Sequence, residues 1–156
     1  MLSTVTAADR DEATHTSEYR YEEIEDGLGW ALDAMRDDGC RWIMILEIAD
    51  EPSKYVQVLS PGIGGLWAEC VSNEFLGCDE WLSEEQCEEL PLLGWEWPGP
   101  PESPNWHFHD HLLDTGTAVA GLLRRTLRHV LGVEPTDVMR IVLIRKTEPK
   151  PLVDQR

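Results

Sequence analysis

The chain has 156 residues, a length at which one domain is the default and no covalent staple is needed to hold a core. A hydrophobic fraction of 42% with seven Trp marks a globular protein, and a net charge of −17 argues against nucleic acid and against anionic membrane as partners. The charge is uneven: residues 1–115 hold 5 Lys+Arg against 26 Asp+Glu, whereas residues 116–156 hold 8 against 4. The plain reading is an acidic protein with a basic last helix. The functional one is an acidic face that meets a basic partner, or the chain's own basic end.

Residues 1–17 are polar and aperiodic, and read as a disordered tail with no basic segment leading into an apolar core. Ser17 is placed to cap a first helix over 18–37, in which Ile24, Leu28, Ala31 and Met35 recur at helical spacing, with Trp30 flanking that stripe. Gly39 follows its end. RWIMILEIA at 41–49 is a strand that turns Trp42, Met44, Leu46 and Ile48 one way and Ile43 and Ile45 the other, so it is expected to be central. KYVQVLS at 54–60 and GLWAECVS at 65–72 follow after short connections, which makes the three an antiparallel meander. Ser83 and Gln86 form a capping box for a short second helix that Pro91 kinks or ends.

The stretch LGWEWPGPPESPNWHFHDH at 93–111 is too rich in proline for a helix and too rich in Trp for disorder. Its first half is read as a loop that Trp95 and Trp106 fix to the core, and its second half as a strand. A third helix starts at Thr115 or Thr117 and runs to about Leu131. Val119, Leu122, Leu123, Thr126, Leu127, Val130 and Leu131 form its buried stripe, with Arg124, Arg125 and Arg128 largely on the other side. VMRIVLI at 138–144 is a last strand, and 147–156 a flexible tail. The expected domain is therefore 18–146.

His107, His109 and His111 share one face of a strand, and imidazole is a common zinc ligand. Strand neighbours on one face lie about 6.6–7 Å apart, which strains a single tetrahedral site. The plain reading is a half-exposed strand whose polar face is histidine, with a metal-dependent enzyme using those three as the alternative. Cys40, Cys70, Cys78 and Cys87 lack CxxC spacing and read as reduced, mostly buried thiols of a cytoplasmic protein, ahead of a four-Cys zinc site. No nucleophile elbow is present, and Gly62, Gly64 and Gly65 lead into a strand rather than a helix, so they are turn glycines and not a phosphate cradle. With no active site assembled, neither cofactor nor metal is expected, and Trp67, Trp81, Trp95, Trp97 and Trp106 in or beside loops point to binding.

The ordered pieces YVQ (55–57), AE-x-VSN-x-FL (68–76), LGW (93–95), WP (97–98), PNW (104–106) and LGV-x-P (131–135) resemble the actinobacterial TY-Chap proteins, peptide-binding chaperones related to type III secretion chaperones and to YbjN. The resemblance covers about residues 20–137. It implies an α+β fold, a twisted antiparallel sheet of about five strands with helices packed on it. It also implies a non-enzymatic cytoplasmic chaperone or adaptor for a client protein or peptide, with a link to secretion and a homodimeric state. The HFHDH run and the segment 138–144 stand outside the pattern. An immunity-type domain docking on a folded partner is a further alternative.

Side-chain size then divides the meander. Val56, Val58, Leu66, Ala68 and Cys70 suit packing under helices, which leaves Tyr55, Gln57, Trp67 and Glu69 on the opposite face as the expected peptide-binding residues, with Trp97 of the proline loop at their border. Trp97 and the proline run are then expected to line a client groove.

Overall fold

In a computed structural model of the protein, residues 12–62, 65–99, 103–110 and 116–146 are described. Strands β1 (Glu12–Arg20), β2 (Arg41–Ile48), β3 (Glu51–Ser60), β4 (Leu66–Cys70), β5 (Trp106–Asp110) and β6 (Val138–Lys146) form one sheet in the order β1-β6-β2-β3-β4-β5. Every neighbouring pair is antiparallel. The helices are α1 (Tyr21–Ile24), α2 (Leu28–Asp37), α3 (Glu84–Leu93) and α4 (Gly116–His129).

One sheet face carries the core. Met44, Leu46 and Ile48 of β2, Val56 and Val58 of β3, Leu66, Ala68 and Cys70 of β4 and Met139 of β6 are buried. They share one cluster with Leu28, Leu32 and Met35 of α2, Leu90 of α3 and Val119, Leu122, Leu123 and Leu127 of α4. The aliphatic set expected under the helices is there because strand alternation sends the small side chains to one side. The α2–α4 crossing is close. A Cβ on Gly116 would lie 2.5 Å from the Gly29 carbonyl oxygen and 2.8 Å from the Asp33 nitrogen. Only glycine fits, and its N–H donates to the Asp33 carboxylate. The capping box of α3 forms: the Gln86 N–H donates to Ser83 Oγ at 3.1 Å and the Ser83 N–H to Gln86 Oε1 at 2.6 Å. The Gln86 amide also donates to the Val130 carbonyl at 2.6 Å, tying α3 to the end of α4.

Several expectations are corrected. Residues 12–17 belong to β1, not to a disordered tail, and the sheet has six strands. In EATHTSEYR no apolar period announces a strand. It is an edge strand whose hydrogen bonds come from β6, in register from Glu12 opposite Lys146 to Arg20 opposite Val138. The helix expected over 18–37 starts at Tyr21 and is interrupted by a 3₁₀ turn at Glu25–Gly27. Its start is fixed by the Tyr21 and Glu22 N–H groups donating to the carbonyls of Asp137 and Pro135. Burial, then the neighbouring Glu25, pushes the Tyr21 phenol above its ordinary range. Pro91 does not end α3: it lies inside the last turn, and the helix runs on to Leu93 and closes at Gly94, at φ 121°. Of the four thiols only Cys70 is buried; Cys78 is exposed in the irregular segment after β4. All four are free.

Candidate functional site

The α helices lie on the core side, so the other face of the sheet is open among the described residues. The register places Ile43 opposite Ile144 and Leu59, and Ile45 opposite Val142 and Gln57. Leu59 in turn faces Trp67, and Gln57 faces Glu69. The result is a strip of half-exposed aliphatic side chains across β6, β2 and β3, ending at Trp67. At one end Arg140 bridges Glu18 at 3.0 Å and Glu47 at 3.7 Å. At the other, a cavity of about 320 Å³ is lined by Ile43, Leu59 and Trp67 with Arg41 and Lys146.

Tyr55, Gln57, Trp67 and Glu69 lie together on this open face. The Glu69 carboxylate accepts from Trp67 Nε1 at 2.7 Å, from Gln57 Nε2 at 2.9 Å and from Asn105 Nδ2 at 3.2 Å. The Asn105 amide also reaches the Tyr55 hydroxyl at 3.3 Å, while its oxygen accepts from the Ser72 N–H. His107, opposite Glu69, stacks on Trp67 with ring centroids 5.4 Å apart and planes 3° from parallel. Its Nδ1 lies 3.2 Å from the Asn105 carbonyl and its Nε2 3.4 Å from Glu96. Each side chain is thus held in one orientation by hydrogen bonds to others, a preorganised aromatic and polar patch rather than a loose surface.

Trp97 does not join them. Glu96 and His107 exchange backbone hydrogen bonds, which sets the Glu96 carboxylate beside His107 and turns Trp95 and Trp97 to the core side. Trp95 is buried, and its indole donates to Thr126 Oγ1 of α4 at 2.8 Å. Trp97, 60% exposed, packs on the buried Trp106 with centroids 4.6 Å apart. Together they line a cavity of about 310 Å³ with Ser72, Cys87 and Pro104.

Of the three histidines, His109 pairs through its backbone with Trp67, its side chain lying outside the described residues, as does all of His111. Among the described residues no group of three or more His, Cys, Asp or Glu is placed to hold a metal. Asn105 was not marked by its spacing; only its place in PNW singled it out.

A second surface also escaped the sequence. The helix layer stops short of β1 and β6 and leaves an apolar groove along α2. Cavities of about 310 and 350 Å³ share Trp30, Ala31, Met44 and Leu143 as walls. Trp30, beside Ala31 and Met35 of the helix stripe, is 78% exposed over that groove.

Residues 16–141 match the family described as TY-Chap3, the T3SS (YopN, CesT) and YbjN peptide-binding chaperone 3. The chain belongs to this family. TY-Chap3 proteins are described as peptide-binding chaperones, and the six-stranded antiparallel sheet with its helices on one face accords with that class. The match runs from within β1 into β6, so residues 138–141 of the last strand lie inside the TY-Chap3 span and the rest of it outside. No curated protein and no solved structure matches the chain. No described helix is long and apolar enough to cross a membrane.

Proposed function

We propose that this chain is a non-enzymatic chaperone that holds a segment of a client protein on the open face of its sheet. The carrying observation is the aliphatic strip of Ile43, Ile45, Leu59, Val142 and Ile144, half-exposed and ending at the Trp67–Glu69–Asn105–Tyr55 patch. Contiguous apolar surface of this kind marks interaction sites. Rigid aromatic anchors beside it supply contact at low entropic cost. Gln57 and Glu69 give the polar rim that fixes orientation. The chain then works in the cytoplasm on client protein, without nucleic acid, membrane or cofactor, and as a homodimer; light scattering with and without client reads that last point.

Copurification from the native organism supplies the client, and hydroxyl-radical footprinting of the complex locates it. Protection is expected at Tyr55 and Trp67. Protection confined to Trp30 and Tyr19 would move the client to the groove along α2, the second reading that the exposed Trp30 favours. The metal-enzyme alternative needs His107 as a ligand, yet its ring is stacked on Trp67 with both nitrogens near oxygen partners. Stoichiometric zinc lost in a His107→Ala, His109→Ala, His111→Ala variant would revive it. Binding only to natively folded client would favour the immunity-type domain instead.

A further inference from the structure

Gly121, Arg124, Arg125 and Arg128 stand at i, i+3, i+4 and i+7 of α4, and so share one helical face. A Cβ on Gly121 would lie 3.3 Å from Arg125 Nη1 and 4.0 Å from Arg124 Nη2. Both guanidinium groups therefore converge on the space that the missing side chain leaves. Glycine inside a helix costs about 1 kcal/mol relative to alanine, and like charges at this spacing repel. The helix dipole accounts for cations in the last turn, where Arg128 and His129 stand, but its effect fades a turn earlier. Glu25 compensates only in part. Its carboxylate lies 3.5 Å from Arg128, and its carbonyl accepts from Arg124 at 3.4 Å. No ion pair to Arg125 forms among the described residues. Arg124, Arg125, Arg128 and His129 line a cavity of about 480 Å³ with Glu25 and Asp26. On a chain of net charge −17 this is a concentrated basic surface.

We propose that this face of α4 docks an extended acidic segment of the client, with carboxylates seated at the guanidinium groups that converge over Gly121; the identification of the segment as the client's rests on the client-binding reading above. Charge complementarity selects the occupant, since three arginines and a histidine gather here on a chain of net charge −17. The spacing fits as well. From Arg124 to Arg128 the helix rises about 6 Å. Alternate residues of an extended chain lie about 6.6–7 Å apart, so acidic residues at every second position meet successive arginines.

The test uses the full chain and a labelled decapeptide of alternating Glu and Thr, with alternating Gln and Thr as control, followed by fluorescence anisotropy. The Glu peptide is expected to bind, with affinity that falls as salt rises. The R124Q/R125Q variant should weaken it by about tenfold or more. Gly121→Glu, which sets a carboxylate where the anion is expected, should weaken it similarly while raising the melting temperature. Tyr55→Ala and Trp67→Ala should leave it unchanged, so failure here and failure of the open-face reading are told apart. The proposal is overturned by equal binding of the Gln peptide, or by full binding to a natively folded R124Q/R125Q chain. Binding of inorganic phosphate with none of the Glu peptide would overturn it too, leaving a site for a free anion only.

Discussion

Thr126 holds the buried end of the tryptophan-rich stretch. Its hydroxyl accepts from the Trp95 indole at 2.8 Å and donates to the Leu122 carbonyl at 2.7 Å, with both side chains buried. Thr126→Val keeps the shape and strands the indole N–H. Equilibrium urea unfolding should then show a loss of about 1–3 kcal/mol, with Thr126→Ser recovering most of it. An unchanged midpoint would mean that the indole bond contributes nothing. The thiols offer a second check. Burial, then the nearby Cys87, pushes the Cys70 thiol up, while Cys78 is exposed. Since the thiolate is the reactive species, maleimide should label native Cys78 quickly and Cys70 only after unfolding. Labelling of both at one rate, read by peptide mass spectrometry, would contradict the packing of β4. The roles of Trp95 and Trp106 were legible from sequence because large aromatics beside a proline loop need a core to bury them. Asn105 was not, because its partners Ser72, Glu69 and Tyr55 come from other segments that only the folded sheet brings together.

Elements with an apolar pattern or a capping signal were read correctly: β2, β3, β4, α4 and the capped α3 stand close to where their residues put them. Strand β1 shows what such reading misses. Thr14, Thr16 and Glu18 alternate with His15, Ser17 and Tyr19, so neither side declares a core, and pairing with β6 makes it a strand. Its presence matters, because without it β6 becomes an open edge carrying Ile141, Val142, Leu143 and Ile144. A chain lacking residues 1–20 is expected to aggregate or to lose stability relative to one lacking residues 1–11, by light scattering during thermal unfolding. Equal behaviour of the two truncations would show that β1 adds nothing to the sheet. The first helix was half legible: Leu28, Ala31 and Met35 announced α2, but the break at Glu25–Gly27 and the backbone ties of Tyr21 and Glu22 to the turn before β6 lie beyond any local pattern.

At the scale of the molecule, helices on one face of a six-stranded sheet leave the other face uncovered among the described residues. Strand alternation sufficed to bring Tyr55, Gln57, Trp67 and Glu69 to that face from the sequence. Trp97 went to the core side because the Glu96–His107 bridge, a pairing across the proline loop, sets the phase of that segment. The groove along α2 was invisible for a related reason: it exists because the helix layer does not reach across all six strands, a property of the assembled layer and not of any segment. The most direct measurement is calorimetric titration of the copurified client segment into the native chain, Tyr55→Ala and Trp67→Ala, each first shown folded by circular dichroism. Each variant should bind about 5- to 150-fold more weakly, the range that corresponds to about 1–3 kcal/mol for an anchor residue. Native affinity in both folded variants would contradict a client site on the open face.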